Sequence, residues 1–209
     1  MLTDNYIGKE EQMKRKRLTA NERKLEIQNI ALEVFTIKGY KNTSMHDLVQ
    51  ATGLSAGGLY HHYKSTSEIL YDMMIRGCKY REDIIKKKIA EIPNPLGIEV
   101  LAELMVDKAL SNNIFVPIYV MFLQSMQEDE TLQQLYKDIR DSNIRDFEQM
   151  LEENGGLTIS KESWNLLNDL INTFILGCET LDIREHLISQ RHILKKMVID
   201  VLIENEEEV

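Results

Sequence analysis

Residues 55–64 combine side chains that could contact a nucleic acid. Small residues open a predicted helix, and the hydrogen-bonding groups of Tyr60, His61, His62 and Lys64 follow them. Because a helix N-terminus offers unpaired N–H groups and partial positive charge, a start without bulky side chains can lie close to phosphates. The later side chains can reach phosphate oxygens or base edges, as a recognition helix requires. The small residues are Ser55, Ala56, Gly57 and Gly58.

A plainer interpretation of this segment needs no ligand. Gly57 and Gly58 are then a loop, and His61 and His62 form a solvated surface pair. Residue types alone leave both interpretations open, so the choice depends on the helices that position the segment.

Three short helical patterns surround these residues. Over 22–38 apolar residues recur at intervals of three and four, and Gly39 ends this first helix. Thr43 or Ser44 can cap a second helix that stops at Gly53, and the small residues begin a third. The second and third helices are too short to be stable alone, so they must pack on the first helix.

The rest of the chain is also predicted to be helical. A long helix runs from Ser65 or Ser67 to about Ala90, and Pro93 and Pro95 break the chain after it. Alternating strand patterns are nearly absent from the sequence, so we expect an all-α fold of about nine helices. The later helices are expected at about 97–111, 114–128, 130–154, 161–179 and 183–206.

Charge is unevenly distributed along the 209 residues, whose net charge is −9. Residues 1–70 hold ten basic and eight acidic groups, whereas the remainder holds 15 basic and 26 acidic groups. Only the N-terminal part could therefore rest against a polyphosphate. No apolar run approaches the roughly 18 residues of a membrane-spanning helix, and the N-terminus is polar, so we expect a cytoplasmic protein.

The segment from Glu22 to Leu70 resembles the DNA-binding domain of the TetR family of bacterial regulators. The matching positions follow the family pattern in a single register. They are Gly39-Tyr40, Thr43-Ser44, Asp47-Leu48-Val49, Ala51-Thr52-Gly53-Leu54-Ser55, Gly57-Gly58-Leu59-Tyr60 and Tyr63-Lys64-Ser65. The resemblance implies a basic arm at 1–20, a helix-turn-helix domain at 21–66 and a ligand-sensing and dimerisation domain at 67–209.

By this resemblance, the DNA contacts would come from the second and third helices. Thr43 would cap the second helix and touch a phosphate. The full set of expected contacts is Thr43, Ser44, Ser55, Ala56, Gly57, Gly58, Tyr60, His61, His62 and Lys64. Two positions depart from the family pattern, because Ala56 and Thr66 stand where basic residues are common. The arm at 14–17 could compensate along the DNA backbone, or it could serve solubility alone.

The resemblance also implies a small-molecule effector that binds inside the sensing domain and moves the two DNA-binding domains of a dimer apart. Residues 113–127 are apolar on nearly all sides, as in a buried helix. Methionine and aromatic side chains could line an adaptable, lipophilic pocket, although such residues more often form core. The candidates are Met105, Phe115, Tyr119, Phe122, Met126, Phe147, Trp164 and Phe174. The acidic balance favours a cationic or neutral ligand over an anionic one.

The last two helices carry an apolar stripe that could serve a homodimer. By the resemblance, two copies would form a four-helix bundle and read a palindromic operator, with recognition helices about 34–36 Å apart or a multiple of that spacing. Burial of the stripe within one chain is the alternative. The stripe comprises Leu166, Leu167, Leu170, Ile171, Phe174, Ile175, Cys178, Leu187, Ile188, Leu194, Val198 and Leu202.

Two other classes of function compete with a regulator that represses transcription. An enzyme would need a catalytic motif, and the sequence has no nucleophile elbow, phosphate-binding glycine loop or paired histidines at metal-binding spacing. A helical bundle that binds a lipid or drug without a role on DNA would show the same sensing domain. Cys78 and Cys178 are a hundred positions apart, so neither a disulfide, a metal site nor a cofactor is expected.

Overall fold

The computed structural model describes residues 18–92, 95–155 and 157–203, and these residues form ten α-helices and two 3₁₀ turns. Strands are absent from the described residues, so the all-α prediction is confirmed. The α-helices are α1 Ala20–Lys38, α2 Met45–Thr52, α3 Ala56–His62, α4 Thr66–Ala90, α5 Ile98–Ala109, α6 Val116–Ser125, α7 Glu130–Glu153, α8 Lys161–Thr180, α9 Arg184–Ser189 and α10 Arg191–Ile203. The 3₁₀ turns are Tyr40–Asn42 and Met126–Glu128.

Local sequence fixes where the first helices begin and end. Thr19 caps α1 in a capping box with Glu22, in which each side chain bonds the other's backbone N–H. Gly53 ends α2 in the left-handed conformation, at φ 65° and ψ 13°, which favours glycine. These signals produce three short helices within 43 residues, joined by tight turns.

The expected helix over 183–206 is wrong in one respect, because the chain breaks at Gln190. The N–H of Gln190 bonds the carbonyls of both His186 and Leu187, and its φ of −105° and ψ of 20° lie outside the helical range. No glycine or proline marks this break, so spacing alone could not reveal it. The basic arm at 14–17, the break at Pro93 and the acidic tail after 203 lie outside the described residues.

Two apolar cores organise the molecule. The first joins α1, α2 and α3 to α4, α6 and the first half of α7 through buried residues that include Leu59, Met73 and Phe122. The second lies among α5, α8 and α10. The helices α4 and α6 contribute to both clusters, so the N-terminal three-helix unit is packed against the body that contains the second core.

Much of the stripe expected for dimer formation is buried within the chain instead. These side chains belong to the second core and are therefore satisfied without a partner. They are Leu167, Ile171, Ile175, Cys178, Leu194, Val198 and Leu202. Others of the stripe, including Leu166 and Ile188, are exposed.

We predict that Ile27→Ala and Ile37→Ala, two identical changes on α1, differ sharply in their effect on stability. Ile27 is 0% exposed and Ile37 is 87% exposed. Loss of a buried isoleucine should lower the free energy of unfolding by about 2–5 kcal/mol. The exposed change should alter it by about 0.5 kcal/mol or less. Urea unfolding followed by circular dichroism measures both, and equal effects would contradict the packing of α1 on the first core.

Candidate nucleic-acid interface and small-molecule cavity

The N-terminal turn of α3 presents a surface with almost no side chains. Ser55, Ala56 and Gly57 are exposed, and a Cβ placed on Gly57 would have nothing within 4 Å. The hydroxyl of Ser55 accepts a hydrogen bond of 3.1 Å from the N–H of Gly58 and so caps the helix. A Cβ on Gly58 would lie 3.2 Å from that hydroxyl oxygen, so a side chain here would press on the cap.

The opposite face of α3 is anchored in the first core. Leu59 and Tyr63 are buried, whereas Tyr60 and His61 are exposed on the outer face. Because a short helix is unstable alone, this burial is what holds the turn at Ser55 in place. The small residues therefore face solvent and not the interior of this chain.

A polar network ties the end of α3 to its neighbours. The hydroxyl of Tyr63 accepts a hydrogen bond of 2.9 Å from the Gln28 amide of α1 and donates one of 3.0 Å to Asp72 of α4. Lys24 pairs with Asp72 at 2.9 Å, and its ammonium lies 4.8 Å from the centre of the Tyr63 ring. Burial raises the pKa of Tyr63, so the hydroxyl keeps its proton and its role as donor.

His61 and His62 close α3 as an edge-to-face pair, with ring centroids 5.1 Å apart. Burial lowers the pKa of His62, and the neighbouring charges of His61, Arg23 and Lys24 add to this effect. His62 is therefore uncharged at neutral pH in the free protein. It is half-buried, in contrast to the exposed His61.

The expectation that Thr43 caps α2 is wrong, because Ser44 is the cap. Ser44 and Asp47 form a capping box, and the hydrogen bonds from Lys38 and Ser44 hold the pKa of Asp47 well below its usual range. The hydroxyl of Thr43 donates to the carbonyl of Gly39 at 2.9 Å, and the residue is buried. Either residue suits a cap by type, and the 3₁₀ turn before α2 decides between them.

Basic groups near α3 are partly neutralised by the protein itself. Lys38 pairs with Asp47 at 2.7 Å and Lys41 pairs with Glu128 at 2.8 Å. Lys64 donates to the carbonyl of Tyr60 at 2.6 Å and makes no ion pair among the described residues. Its charge is thus available to an anion. Ala56 is exposed and Thr66 is half-buried, and neither can supply a charge.

A cavity of about 430 Å³ lies between α4, α5 and α6, with α8, α9 and α10 contributing single residues. Its volume is within the range of pockets for small organic ligands. Gly77 of α4 allows α6 to approach, because a Cβ there would lie 3.3 Å from the Phe115 ring. Apolar walls come from Met73, Met74, Ile84, Phe115, Ile118 and Tyr119.

The cavity gathers only two of the predicted pocket residues, Phe115 and Tyr119. Met105, Phe147 and Trp164 line a separate small cavity of about 20 Å³, which shares Lys108 with the larger one. Phe122 and Met126 pack in or against the first core, and Phe174 packs against the second. Residue type marked these side chains as internal, but it could not show where packing leaves space.

The sequence reasoning missed the cations that line the cavity, which are Arg81 and Lys88 of α4, Lys108 of α5 and Arg191 of α10. Lys108 follows Leu101, Leu104 and Met105 on the apolar face of α5, at helical spacing, which is the signal that could have identified it. Removal from water lowers the pKa of Lys108 to about 7, and repulsion from Arg81 contributes. This lining is positive, in contrast to the acidic balance of the whole chain.

Two further searches concern the described residues alone. Nowhere among them do three histidine, cysteine or acidic side chains gather closely enough to hold a metal ion. None of their helices combines the length and the hydropathy that a membrane span requires.

Comparison with known proteins finds a family model and a curated relative that each match part of the chain. Residues 27–73 match the model of the family described as bacterial regulatory proteins, tetR family. Over 66 residues the chain is 36% identical to the HTH-type transcriptional repressor KstR2 of Rhodococcus jostii (strain RHA1). That match covers 29% of this chain and 32% of the relative, so the chain spans about a third of the curated relative that it matches.

Solved structures resemble the chain over most of its length. Salmonella enterica GusR has a TM-score of 0.67 at 16% identity, over 86% of this chain and 94% of GusR. The fatty acid degradation regulator FadR of Bacillus halodurans has a TM-score of 0.57 at 14% identity, over 92% of this chain and 99% of FadR. At these identities the likeness shows a shared fold.

We predict that Gly57→Leu abolishes most duplex binding without loss of stability. The side chain enters open space in the free protein and improves helix propensity, so the free energy of unfolding should be unchanged or rise by up to about 1 kcal/mol. In a groove it would meet DNA, so affinity should fall at least about tenfold, or 1.4 kcal/mol. Fluorescence anisotropy with labelled duplex measures this, and Gly57→Ala should give a smaller loss. Wild-type affinity in both variants would argue against close approach at Gly57.

Proposed function

We propose that the chain is a member of the tetR family of bacterial regulatory proteins, whose model matches residues 27–73, and that it is a dimeric repressor released from a palindromic operator by a small molecule. The observation that carries the proposal is the exposed start of α3, which the buried Leu59 and Tyr63 hold outward. The name of the Rhodococcus relative supports repression. We assign DNA binding to 21–66, and sensing and dimer formation to 67–209, in a cytoplasmic protein without catalytic activity.

In this proposal α3 lies in the major groove with its N-terminal turn closest to the bases. Ser55 to Gly58 allow the backbone to approach, while Tyr60 and His61 reach phosphates or base edges from the exposed face. Lys64 adds an unpaired charge at the far end. Ser44 at the start of α2 is exposed, with Thr43 behind it, but its hydroxyl donates to Asp47 at 2.6 Å, so a phosphate would have to replace that carboxylate as the acceptor.

An apolar surface on α8 and α10 fits a second copy of the chain. Leu166 is 52% exposed on α8, and Ile193 and Met197 are exposed one turn apart on α10, which packs beside α8. Arg191 and Lys195 pair with acidic groups of α5 and so mark the other side of α10. Exposed apolar side chains on two neighbouring helices support the proposal of an interface there.

The helix α4 connects the proposed sensing cavity to the proposed DNA-binding unit. Asp72 bonds Tyr63 and Lys24, and Gly77, five residues later and about 7.5 Å along the helix, lines the cavity. A ligand that displaces α4 at Gly77 must therefore strain or move the contacts at Asp72. The equilibrium shifts only if the ligand binds the displaced state more tightly than the DNA-bound state.

A second connection runs from α6 to the same unit. The turn after α6 carries Glu128, which pairs with Lys41 at 2.8 Å, and Asp129 accepts a hydrogen bond of 3.4 Å from Ser67. Since Tyr119 of α6 and Phe115, the residue just before α6, line the cavity, a shift of α6 would reach the N-terminal unit by this path as well. In this proposal the cavity is coupled to the N-terminal unit through both α4 and α6, and not through a single contact.

Binding to duplex DNA tests the proposal against a helical bundle that only carries a small molecule. We expect salt-dependent binding to a duplex from the region upstream of the gene, tighter than binding to a scrambled duplex. Tyr60→Ala or His61→Ala should weaken the specific complex by about 1–3 kcal/mol. Tyr71→Ala is the matched control, because Tyr71 is 41% exposed against 43% for Tyr60 but lies in the groove between α4 and α7. Equal affinity for both duplexes would favour the carrier.

We predict that Leu166→Glu and Met197→Glu together convert the dimer into a monomer. Two copies would bring carboxylates together in an apolar interface, and like charges there cost several kcal/mol. The dimer dissociation constant should rise at least about a hundredfold. Light scattering after size exclusion measures it, with Ile37→Glu as the control on an exposed site of α1. A double variant that remains dimeric would place the interface elsewhere.

A further inference from the structure

The cavity is apolar along most of its length but carries uncompensated positive charge. Arg81 and Lys108 face it from α4 and α5 and act on each other electrostatically. Neither makes an ion pair with a carboxylate among the described residues, and the hydrogen bond found for Arg81 is a weak one of 3.6 Å to the sulfur of Cys78. A guanidinium has five N–H donors, so most of those of Arg81 remain available.

The carboxylate that lines the cavity does not compensate these charges. Asp107 is bound by Lys88 and by Arg191, and Arg191 also pairs with Glu103. These partners hold the pKa of Asp107 below its usual range, against the effect of its burial. Asp107 is therefore committed to joining α4, α5 and α10, and its charge is shared between two cations.

An unpaired lysine in such a place is unfavourable for the empty protein. Removal from water lowers the pKa of Lys108 to about 7, repulsion from Arg81 lowers it further, and the thiol of Cys78 opposes the shift. Tyr80 of α4, Tyr119 of α6 and Arg140 of α7 are the other titratable groups that share a cavity with Lys108, and none of them supplies a carboxylate. Charges that are partly removed from water are usually paired, and Lys108, which is half-buried, faces the cavity without a carboxylate partner among the described residues, so the missing partner points to a ligand.

We propose that the effector is a lipophilic monocarboxylate, whose carboxylate lies between Arg81 and Lys108 and whose hydrocarbon body contacts Met73, Phe115 and Ile118. Only the role of the carboxylate as an effector rests on the proposed function, because binding of the carboxylate to the cavity can be measured without DNA. A carboxylate would accept hydrogen bonds from both cations and neutralise the charge that the empty cavity leaves exposed. A cationic ligand would meet repulsion, and a neutral one would leave Lys108 uncompensated.

Calorimetry with matched probes tests the proposal. Decanoate and 4-phenylbutanoate are compared with 1-decanol and 4-phenylbutanol, which keep the apolar body without the charge, and with decylammonium. Each carboxylate should bind at least about tenfold more tightly than its alcohol, and decylammonium should bind least. If neither carboxylate exceeds its alcohol, the proposal is overturned.

The pH dependence of decanoate binding gives a second readout with a fixed sign. The pKa of Lys108 is lowered in the free protein, and an adjacent carboxylate must raise it, so binding takes up a proton. Affinity should therefore be highest at about pH 6 and fall at least about tenfold towards about pH 9, while decanol binding stays constant. A flat profile for decanoate would contradict a role for Lys108.

Lys108→Met separates this role from a structural one. Methionine keeps an unbranched apolar stem and removes a half-buried charge that has no carboxylate partner among the described residues, so the melting temperature should not fall, whereas the preference for decanoate and its pH dependence should disappear. Lys87→Met, on an exposed site of α4, should change neither. Retained preference in Lys108→Met overturns the proposal. If Lys108→Met fails to fold, the same probes are measured on Arg81→Gln. Loss of the preference for decanoate would then support the proposal, and its retention would overturn it.

These outcomes differ from failure of the proposed function. Decanoate that binds with the predicted preference but leaves the protein on its operator would count against release by an effector and leave the assignment of the anion site intact. If the alcohols release the protein from DNA and the carboxylates do not, the anion site is overturned. The proposed repressor function would then still stand.

Discussion

The hydroxyl of Tyr63 is the point on which the structure depends, because it joins three helices in one buried network. It bonds Gln28 of α1 and Asp72 of α4, while its own backbone ends α3. Without this junction α3, at seven residues, would have little to hold its direction. The outward presentation of Ser55 and Gly57 therefore follows from an interaction on the far side of the helix, and recognition of DNA depends on core packing.

In the proposed function, the same junction connects DNA recognition with sensing. The first core is continuous from α1 to the first half of α7, so the N-terminal unit cannot move independently of α4 and α6. Both helices also form the walls of the cavity, where Gly77 and Phe115 approach closely. Because α4 and α6 line the cavity and also pack on the N-terminal unit, a ligand that moves these helices would, in the proposed function, also move α3. The unpaired charges of Arg81 and Lys108 give that cavity a second property, a cost in the empty state that an anion would relieve.

Sequence reasoning predicted the helices and the motif well because both depend on local signals. Capping residues, Gly53 and apolar spacing act within one or two turns, and the α2–α3 segment formed as expected. The break at Gln190 carried no such signal. The position of the cavity depends on how several helices pack. Residue type alone therefore pointed to core side chains such as Phe122 and not to the residues that line the cavity. Lys108 could have been found as a charge on an apolar stripe, but its lack of a partner is visible only in three dimensions.

The central claim is that the N-terminal turn of α3 enters the major groove of an operator in a symmetric dimer. Methylation interference on the duplex from the region upstream of the gene tests this claim most directly. Guanine N7 lies in the major groove and adenine N3 in the minor groove, so one reagent distinguishes the two. The account predicts two clusters of guanine N7 methylations that abolish binding, related by a twofold axis and separated by about 34–36 Å or a multiple of it. Interference confined to adenine N3, or a single cluster without symmetry, would contradict it.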